Sequence, residues 1–186
     1  MIGKTIAELS PGDHAELVRR VEDDDVAAFV DAVGDYNPVH SDPAFAAQTS
    51  FREPIAPGIF TAGLVSAVIG TRLPGPGAIY LSQSLKFLRP VKAGDTITAR
   101  VEVAEVIGER NRVRLRTTCT NERGEEVLSG EAWVMPSRTP VLYEERADQT
   151  ARLAGLAVQP WAWAASTMAW WSALALAFVP RPPHRA

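Results

Sequence analysis

The stretch IFTAGLVSAVIGT, residues 59–71, contains no charged side chain. A helix that is apolar on nearly every face is stable only when the rest of the protein covers most of its surface. The segment LPGPG at 73–77 must end this helix, because proline cannot continue it and glycine favours turns. The sequence therefore predicts one long buried helix around which the other elements pack.

Residues 78–136 predict β-strands that are separated by short polar turns. Four segments are rich in β-branched residues or alternate between apolar and polar residues: AIYLSQSLKFLRPV, DTITARVEVAEVIG, NRVRLRTTCTN and EEVLSGEAWVMP. In the second segment, Ile97, Ala99, Val101 and Val103 share one face, and the polar residues between them share the other. One covered face and one wet face are typical of an antiparallel sheet. Residues 12–21 predict an opening strand.

Two shorter helices are predicted ahead of the buried one. EDDDVAAFVDAVG, residues 22–34, begins with acidic residues that favour a helix N-terminus, and Gly34 is a typical C-terminal residue. Asp42 followed by Pro43 is a typical start of a second helix. Helices beside an antiparallel sheet indicate the α+β class, and we expect the sheet to curl around the buried helix.

Charge and cysteine content exclude several function classes. The net charge is −3 and Lys and Arg are scattered, which argues against a nucleic-acid partner. The single cysteine, Cys119, excludes an internal disulfide and a cysteine-based zinc site, and we expect a packed side chain there. The first residues, MIGKTIAELSPGD, lack the apolar core of a signal peptide, so the expected location is cytoplasmic.

The segment VGDYNPVHSDPAFA, residues 33–46, holds the most conspicuous acid/base pair of the chain, Asp35 and His40. Between them, Pro38 fixes its own φ and restricts Asn37, so the turn that joins the two predicted helices is stiff. A stiff turn holds two side chains in a constant relation, as a general acid/base pair requires. The competing interpretation is an ordinary polar turn whose histidine satisfies a core hydrogen bond.

The segment APGIF marks the start of the buried helix. Gly58 lies where the first backbone N–H groups have no helical acceptor, so they are available to an oxyanion, and glycine lets a ligand approach closely. The alternative is a plain Pro-Gly helix entry. Ser66 is polar within the apolar helix, and its default partner is the backbone of its own helix.

The segment GDYNPVHSDPAFA resembles the hydratase-2 motif of the (R)-specific enoyl-CoA hydratases, the MaoC-like proteins. FREPIAPGIFTAGLVSAVIGTRLPGPGAIYLSQSLKFLRPVKAGDTI resembles the segment that follows the motif, and the resemblance covers about residues 10–136. It implies the hotdog fold, a homodimer, and no metal or redox cofactor. It implies Asp35 and His40 as catalytic residues, and Gly58, Ser66 and Asn37 as the oxyanion hole and substrate-binding residues.

The resemblance implies reversible hydration of a trans-2-enoyl-CoA to an (R)-3-hydroxyacyl-CoA. Two alternatives stay open: an acyl-carrier-protein or polyketide-type 3-hydroxyacyl dehydratase, and a non-catalytic module that binds acyl thioesters. One departure from the family pattern bears on the choice. The family usually has His-Gly before the central helix, whereas this chain has Pro57 and Gly58. A backbone donor at Gly58 survives that change, but the polar side chain is lost.

The sequence divides into a hydratase domain at 1–136, a linker at 137–160 and an apolar C-terminal tail at 161–186. WAWAASTMAWWSALALAFV, residues 161–179, has no charge and is about long enough as a helix to span a bilayer. Its alanines, hydroxyl residues and central tryptophans weaken that interpretation. Membrane contact through 161–179, a helix packed on the dimer and a disordered extension therefore remain alternatives.

Overall fold

The computed structural model describes residues 1–143. The strands are β1 (Ile2–Gly3), β2 (His14–Arg20), β3 (Ile79–Phe87), β4 (Thr96–Ile107), β5 (Arg112–Thr120), β6 (Glu126–Met135) and β7 (Val141–Leu142). The α-helices are α1 (Asp23–Val33), α2 (Pro43–Ala46) and α3 (Gly58–Thr71). Five strands form one antiparallel sheet in the order β2-β4-β5-β6-β3, and β1 pairs with β7 in a separate ribbon.

Helix α3 packs on the covered face of the five-stranded sheet. Val65 and Val68 are fully buried and Ile69 is 2% exposed. The predicted apolar face of β4 is confirmed, because Ile97, Ala99, Val101 and Val103 all belong to the same core cluster. Burial of these side chains is the main favourable contribution to folding. The predicted α+β arrangement, with a sheet that wraps one apolar helix, is therefore confirmed.

One stripe of α3 stays exposed in the single chain. Ile59, Gly63, Ser66 and Gly70 lie at helical spacing on the side of α3 away from the buried residues, and all four are exposed. The prediction of a helix covered on nearly every face is therefore correct for only part of its circumference. Glycine and serine count as non-charged in a sequence pattern, but they bury little apolar surface and do not demand a covering layer.

Charged ladders cover the outer face of the sheet. Arg100 on β4 pairs with Glu16 on β2 at 2.6 Å and with Glu102 at 3.1 Å. Arg114 on β5 pairs with Glu105 on β4 at 3.1 Å and with Glu131 on β6 at 2.9 Å. These side chains are about a third to a half exposed, so each pair contributes little stability by itself. Their effect is to keep this face wet, as the alternation predicts.

The two short helices begin and end as the sequence predicts. α1 ends at Gly34 with φ of +73°, the left-handed conformation that favours glycine. Asp42 caps α2, because its carboxylate accepts from the N–H of Ala44 at 2.8 Å and of Phe45 at 3.1 Å. The apolar stripe of α1 is shorter than its pattern suggests, since Val33 is 57% exposed.

The described fold continues past residue 136. Ser137 bridges Thr5, and β7 pairs with β1 at the N-terminus of the chain. Residues 137–143, which the sequence analysis assigns to a linker, therefore belong to the described fold, where they pair with N-terminal residues. The rest of the linker and the tail at 161–186 lie outside the described residues. Within residues 1–143, no helix combines the length and apolarity needed to cross a bilayer.

Gly130 on β6 tests the close approach of β3 and β6. A Cβ at this position would lie 1.9 Å from the carbonyl oxygen of Ser84 and 2.7 Å from Nε2 of Gln83. We expect Gly130→Ala to lower the free energy of unfolding by about 3 kcal/mol, measured by urea denaturation, because the backbone of β3 must move. Gly108→Ala is the matched control, since a Cβ there meets nothing within 4 Å. Equal free energies of unfolding for the two variants would contradict the close approach of β3 and β6 at Gly130.

Candidate active site

Asn37 and Pro38 form the stiff turn that the sequence predicts. The Asn37 side-chain oxygen accepts from the N–H of Val39 at 3.3 Å, and its carbonyl accepts from the N–H of His40 at 3.0 Å. These bonds wind Pro38–His40 into one 3₁₀ turn. The Asn37 carboxamide oxygen thus caps the turn locally, which agrees with a role in holding the turn.

The structure brings Asp35 and His40 together. The N–H of Asp35 donates to the carbonyl of Val30 at 3.2 Å, so the residue is fixed directly after the glycine that ends α1. Oδ2 of Asp35 lies 3.6 Å from Nε2 of His40. The His40 side chain is 9% exposed and the Asp35 side chain 47% exposed. The pair therefore joins a buried imidazole to a carboxylate that solvent or substrate reaches.

The backbone carbonyl of Ile55 fixes the orientation of His40. It lies 2.7 Å from Nδ1 of the imidazole. A carbonyl oxygen only accepts, so Nδ1 must donate, and in the neutral imidazole Nε2 then carries the lone pair. That lone pair faces Asp35. Sequence reasoning missed this contact, because a backbone carbonyl fifteen positions away leaves no signal in the residue types.

Three contacts hold the loop that contains Ile55. The N–H of Ile55 donates to Val39 at 3.2 Å, and the N–H of Ala56 donates to Val91 at 2.7 Å. The ammonium of Lys92 forms an ion pair with Glu53. The loop is therefore tied both to the Asn37 turn and to the segment before β4. A cavity of about 590 Å³ lies beside His40 and this loop.

Gly58 begins α3 as predicted. Pro57, with φ of −55° and ψ of 135°, precedes the helix and is buried. The N–H of Phe60 donates to Pro57 at 2.9 Å, but among the described residues the N–H groups of Gly58 and Ile59 have no acceptor. Gly58 lines a second cavity of about 410 Å³. The two cavities share Ile55 and Ala56 in their walls, so they are neighbours.

The ring of Phe87 explains why residue 58 is glycine. A Cβ on residue 58 would lie 2.8–3.1 Å from three ring carbons of Phe87, the last residue of β3. The 2.8 Å distance is shorter than a Cβ contact normally is, so a side chain at residue 58 requires the ring of Phe87 or the helix start to shift. Phe87 is itself 53% exposed and lines the same cavity as Gly58. Sequence reasoning missed this contact, because it joins two segments that are distant along the chain.

Ser66 lies apart from both cavities. It belongs to the exposed stripe of α3, and neither cavity wall includes it. Within residues 1–143 its hydroxyl has no recorded hydrogen bond, so the expected bond back to its own helix does not form. The structure of one chain therefore unites Asp35 with His40 and places Gly58 beside them, while Ser66 faces outward.

Cys119 lies in the core on β5. It is fully buried, and burial raises the pKa of its thiol to about 12. Its Sγ contacts the carbonyl oxygen of Thr61 at 3.8 Å. The thiol stays protonated at neutral pH and is a packed side chain, in agreement with the sequence expectation.

Comparison with known proteins gives consistent relatives. A family model described as "MaoC like domain" matches residues 9–124. The 3-hydroxybutyryl-CoA dehydratase of Methylorubrum extorquens is 52% identical over 118 residues, which cover 63% of this chain and 74% of that protein. The (R)-specific enoyl-CoA hydratase of Rhodospirillum rubrum is 46% identical over 132 residues, which cover 70% of this chain and 91% of that protein.

A solved structure extends the similarity to three dimensions. The unliganded R-hydratase PhaJ1 from Pseudomonas aeruginosa matches with a TM-score of 0.72 at 43% identity, and the match covers 77% of this chain and 94% of that one. This agreement confirms the predicted α+β hotdog fold, in which the antiparallel sheet wraps α3. The residues matched by the family model, 9–124, include Asp35, His40 and Gly58. The chain therefore belongs to the MaoC-like family.

Proposed function

We propose that the chain is a hydro-lyase that hydrates trans-2-enoyl-CoA to (R)-3-hydroxyacyl-CoA and catalyses the reverse dehydration. The observation that carries the proposal is the bond from His40 Nδ1 to Ile55, which leaves Nε2 free opposite Asp35. Its relatives include an (R)-specific enoyl-CoA hydratase and a 3-hydroxybutyryl-CoA dehydratase, which supports both the hydration and the reverse dehydration.

Water delivery follows from the acceptors of the pair. The 3.6 Å between Nε2 and Oδ2 exceeds an ordinary hydrogen bond, and with Nδ1 protonated both atoms are acceptors. One water molecule that donates to both is held with its oxygen lone pair free for C3 of the substrate. Asp35 takes a proton from this water, His40 orients it, and the pair returns one proton to C2. Such acid/base catalysis contributes roughly 10²–10⁴-fold.

Gly58 supplies the complementary charge stabilisation in this proposal. As water adds to C3, negative charge develops on the thioester oxygen. The N–H of Gly58 has no acceptor within the described residues and points from the positive end of α3. A preorganised donor of this kind is worth roughly 10²–10³-fold. The neighbouring cavities beside His40 and Gly58 give one substrate access to both groups.

We also propose a homodimer that forms along β3. This strand is an edge of the sheet, and Ile79, Leu81, Phe87 and Leu88 at its two ends are 42–53% exposed. Antiparallel pairing of two copies brings the start of one β3 against the end of the other, which covers these apolar side chains.

The other edge strand is unsuited to this role. β2 carries His14, Glu16, Arg19 and Arg20, and only Val18 is a large exposed apolar residue there. Charged side chains protect an edge strand from pairing. The contrast between the two edges selects β3.

Asp35→Asn tests the acid/base pair. The amide keeps the size of the side chain but cannot accept a proton, so crotonyl-CoA hydration should fall roughly 10²–10⁴-fold with unchanged circular dichroism. Hydration is followed as loss of enoyl absorbance. Asp24→Asn is the control and should keep full activity, because Asp24 is an exposed carboxylate on α1 that lines neither of these cavities. Full activity of Asp35→Asn would end the proposal.

Gly58→Ala tests the helix start. The added methyl group collides with Phe87, so we expect the donor to shift and kcat to fall roughly 10²-fold. The same substitution is also made in a Phe87→Ala background, where the collision is absent. In the Phe87→Ala background, the fold loss of kcat caused by Gly58→Ala should be at least about threefold smaller than in the unmodified chain. An equal loss in both backgrounds contradicts the role of the ring.

Leu81→Lys tests the β3 interface. A lysine at this edge leaves a charge against apolar side chains of the other copy, so sedimentation equilibrium should show a monomer where the unmodified chain is a dimer. Val18→Lys places the same charge on β2 and should leave the dimer intact. Dissociation by Val18→Lys but not by Leu81→Lys would move the interface to the other edge.

A further inference from the structure

Thr61 is the exception among the buried polar residues of the described chain. Within residues 1–143 four polar residues are buried: Thr61, Asn111, Thr117 and Asn121. Asn111 donates to the carbonyl of Pro136, Thr117 accepts from Gln83, and Asn121 bonds to Glu125 and to backbone N–H groups. The hydroxyl of Thr61 has no partner among these residues. A buried polar group without a partner is costly, so such a group needs an explanation.

Thr61 does not use the partner that its own helix offers. Thr71, at the other end of α3, donates its hydroxyl to the carbonyl of Ala67. Thr61 has the same opportunity one turn back, yet no such bond forms. The residue is 3% exposed, but no unpartnered side-chain oxygen in the described residues is sealed from solvent. Thr61 lines the cavity at Gly58, and this cavity is the space in which its hydroxyl can meet a ligand.

Helical geometry places this hydroxyl beside Gly58. Residues three apart lie on one side of a helix, and each Cα–Cβ bond tilts toward the N-terminus. The Thr61 side chain thus lies over the turn that begins at Gly58. The remaining wall of this cavity is mostly apolar, with Phe51, Ile59 and Phe87 among its members. A hydroxyl in an apolar wall is a strong and directional feature for a ligand.

We propose that Thr61 contacts the substrate, with its hydroxyl as a second hydrogen-bond donor to the thioester oxygen beside the N–H of Gly58. This inference rests on the proposed hydration reaction and adds a residue to it. The bond strengthens as charge develops on the oxygen, so it acts mainly in the transition state. No proton is transferred from Thr61 and no covalent bond is formed with it.

Thr61→Val and Thr61→Ser test this role. Valine replaces the hydroxyl by a methyl group at equal size, so kcat/KM for crotonyl-CoA should fall about tenfold, chiefly through kcat. Serine keeps the hydroxyl and should stay within about threefold of the unmodified enzyme. The Tm of Thr61→Val should be unchanged, because the hydroxyl bonds to no described residue and lies in a residue of the cavity wall.

The combined readouts separate the possible results. A tenfold loss with Thr61→Val, an undiminished Tm and rescue by Thr61→Ser support the proposal. Unchanged kcat/KM in Thr61→Val overturns the proposed role of Thr61. The hydratase function still stands in that case, provided that the unmodified enzyme is active. If the Tm and kcat/KM of Thr61→Val both fall, the hydroxyl has a structural role, and this result also overturns the proposal. An unmodified enzyme without hydration activity overturns the proposed function and this inference with it.

Discussion

The hydrogen bond from His40 Nδ1 to the carbonyl of Ile55 is the contact on which the site depends. It sets the tautomer of the imidazole, directs Nε2 to Asp35, and joins the Asn37 turn to the loop that leads into α3. That loop is tied in turn to Val91 through the N–H of Ala56. These contacts therefore fix the position of the acid/base pair relative to the start of α3. A fixed relative position is the condition for both to act on a single substrate.

The start of α3 is fixed from two sides. Pro57 restricts the backbone before the helix through its ring, and the ring of Phe87, at the end of β3, occupies the space into which a Cβ of residue 58 would project. The family pattern usually has a histidine where this chain has Pro57. The loss of that side chain leaves the donor at Gly58 in place, because the donor belongs to the backbone.

Local patterns were sufficient to predict much of the fold. Alternation in β4, the left-handed Gly34 and the Asp42 cap depend on neighbouring residues, and all three are confirmed. Contacts between distant segments were not predictable in this way. The Ile55 carbonyl and the Phe87 ring act through tertiary geometry, and the β1–β7 ribbon pairs the two ends of the described chain. The Asn37-Pro38 turn linked Asp35 to His40 in the sequence, but only the resemblance linked Gly58 to this pair.

The polar residues of α3 divide by what each one contacts. Thr71 satisfies its hydroxyl within the helix, Ser66 faces the uncovered stripe, and Thr61 faces the cavity at Gly58. A sequence pattern treats all three alike, as minor interruptions of an apolar helix. Their surroundings differ, and only Thr61 is buried without a partner in the described chain. A helix that needs burial for stability thus carries one hydroxyl that bonds to no described residue and belongs to a residue of the cavity wall at Gly58, where a ligand can reach it.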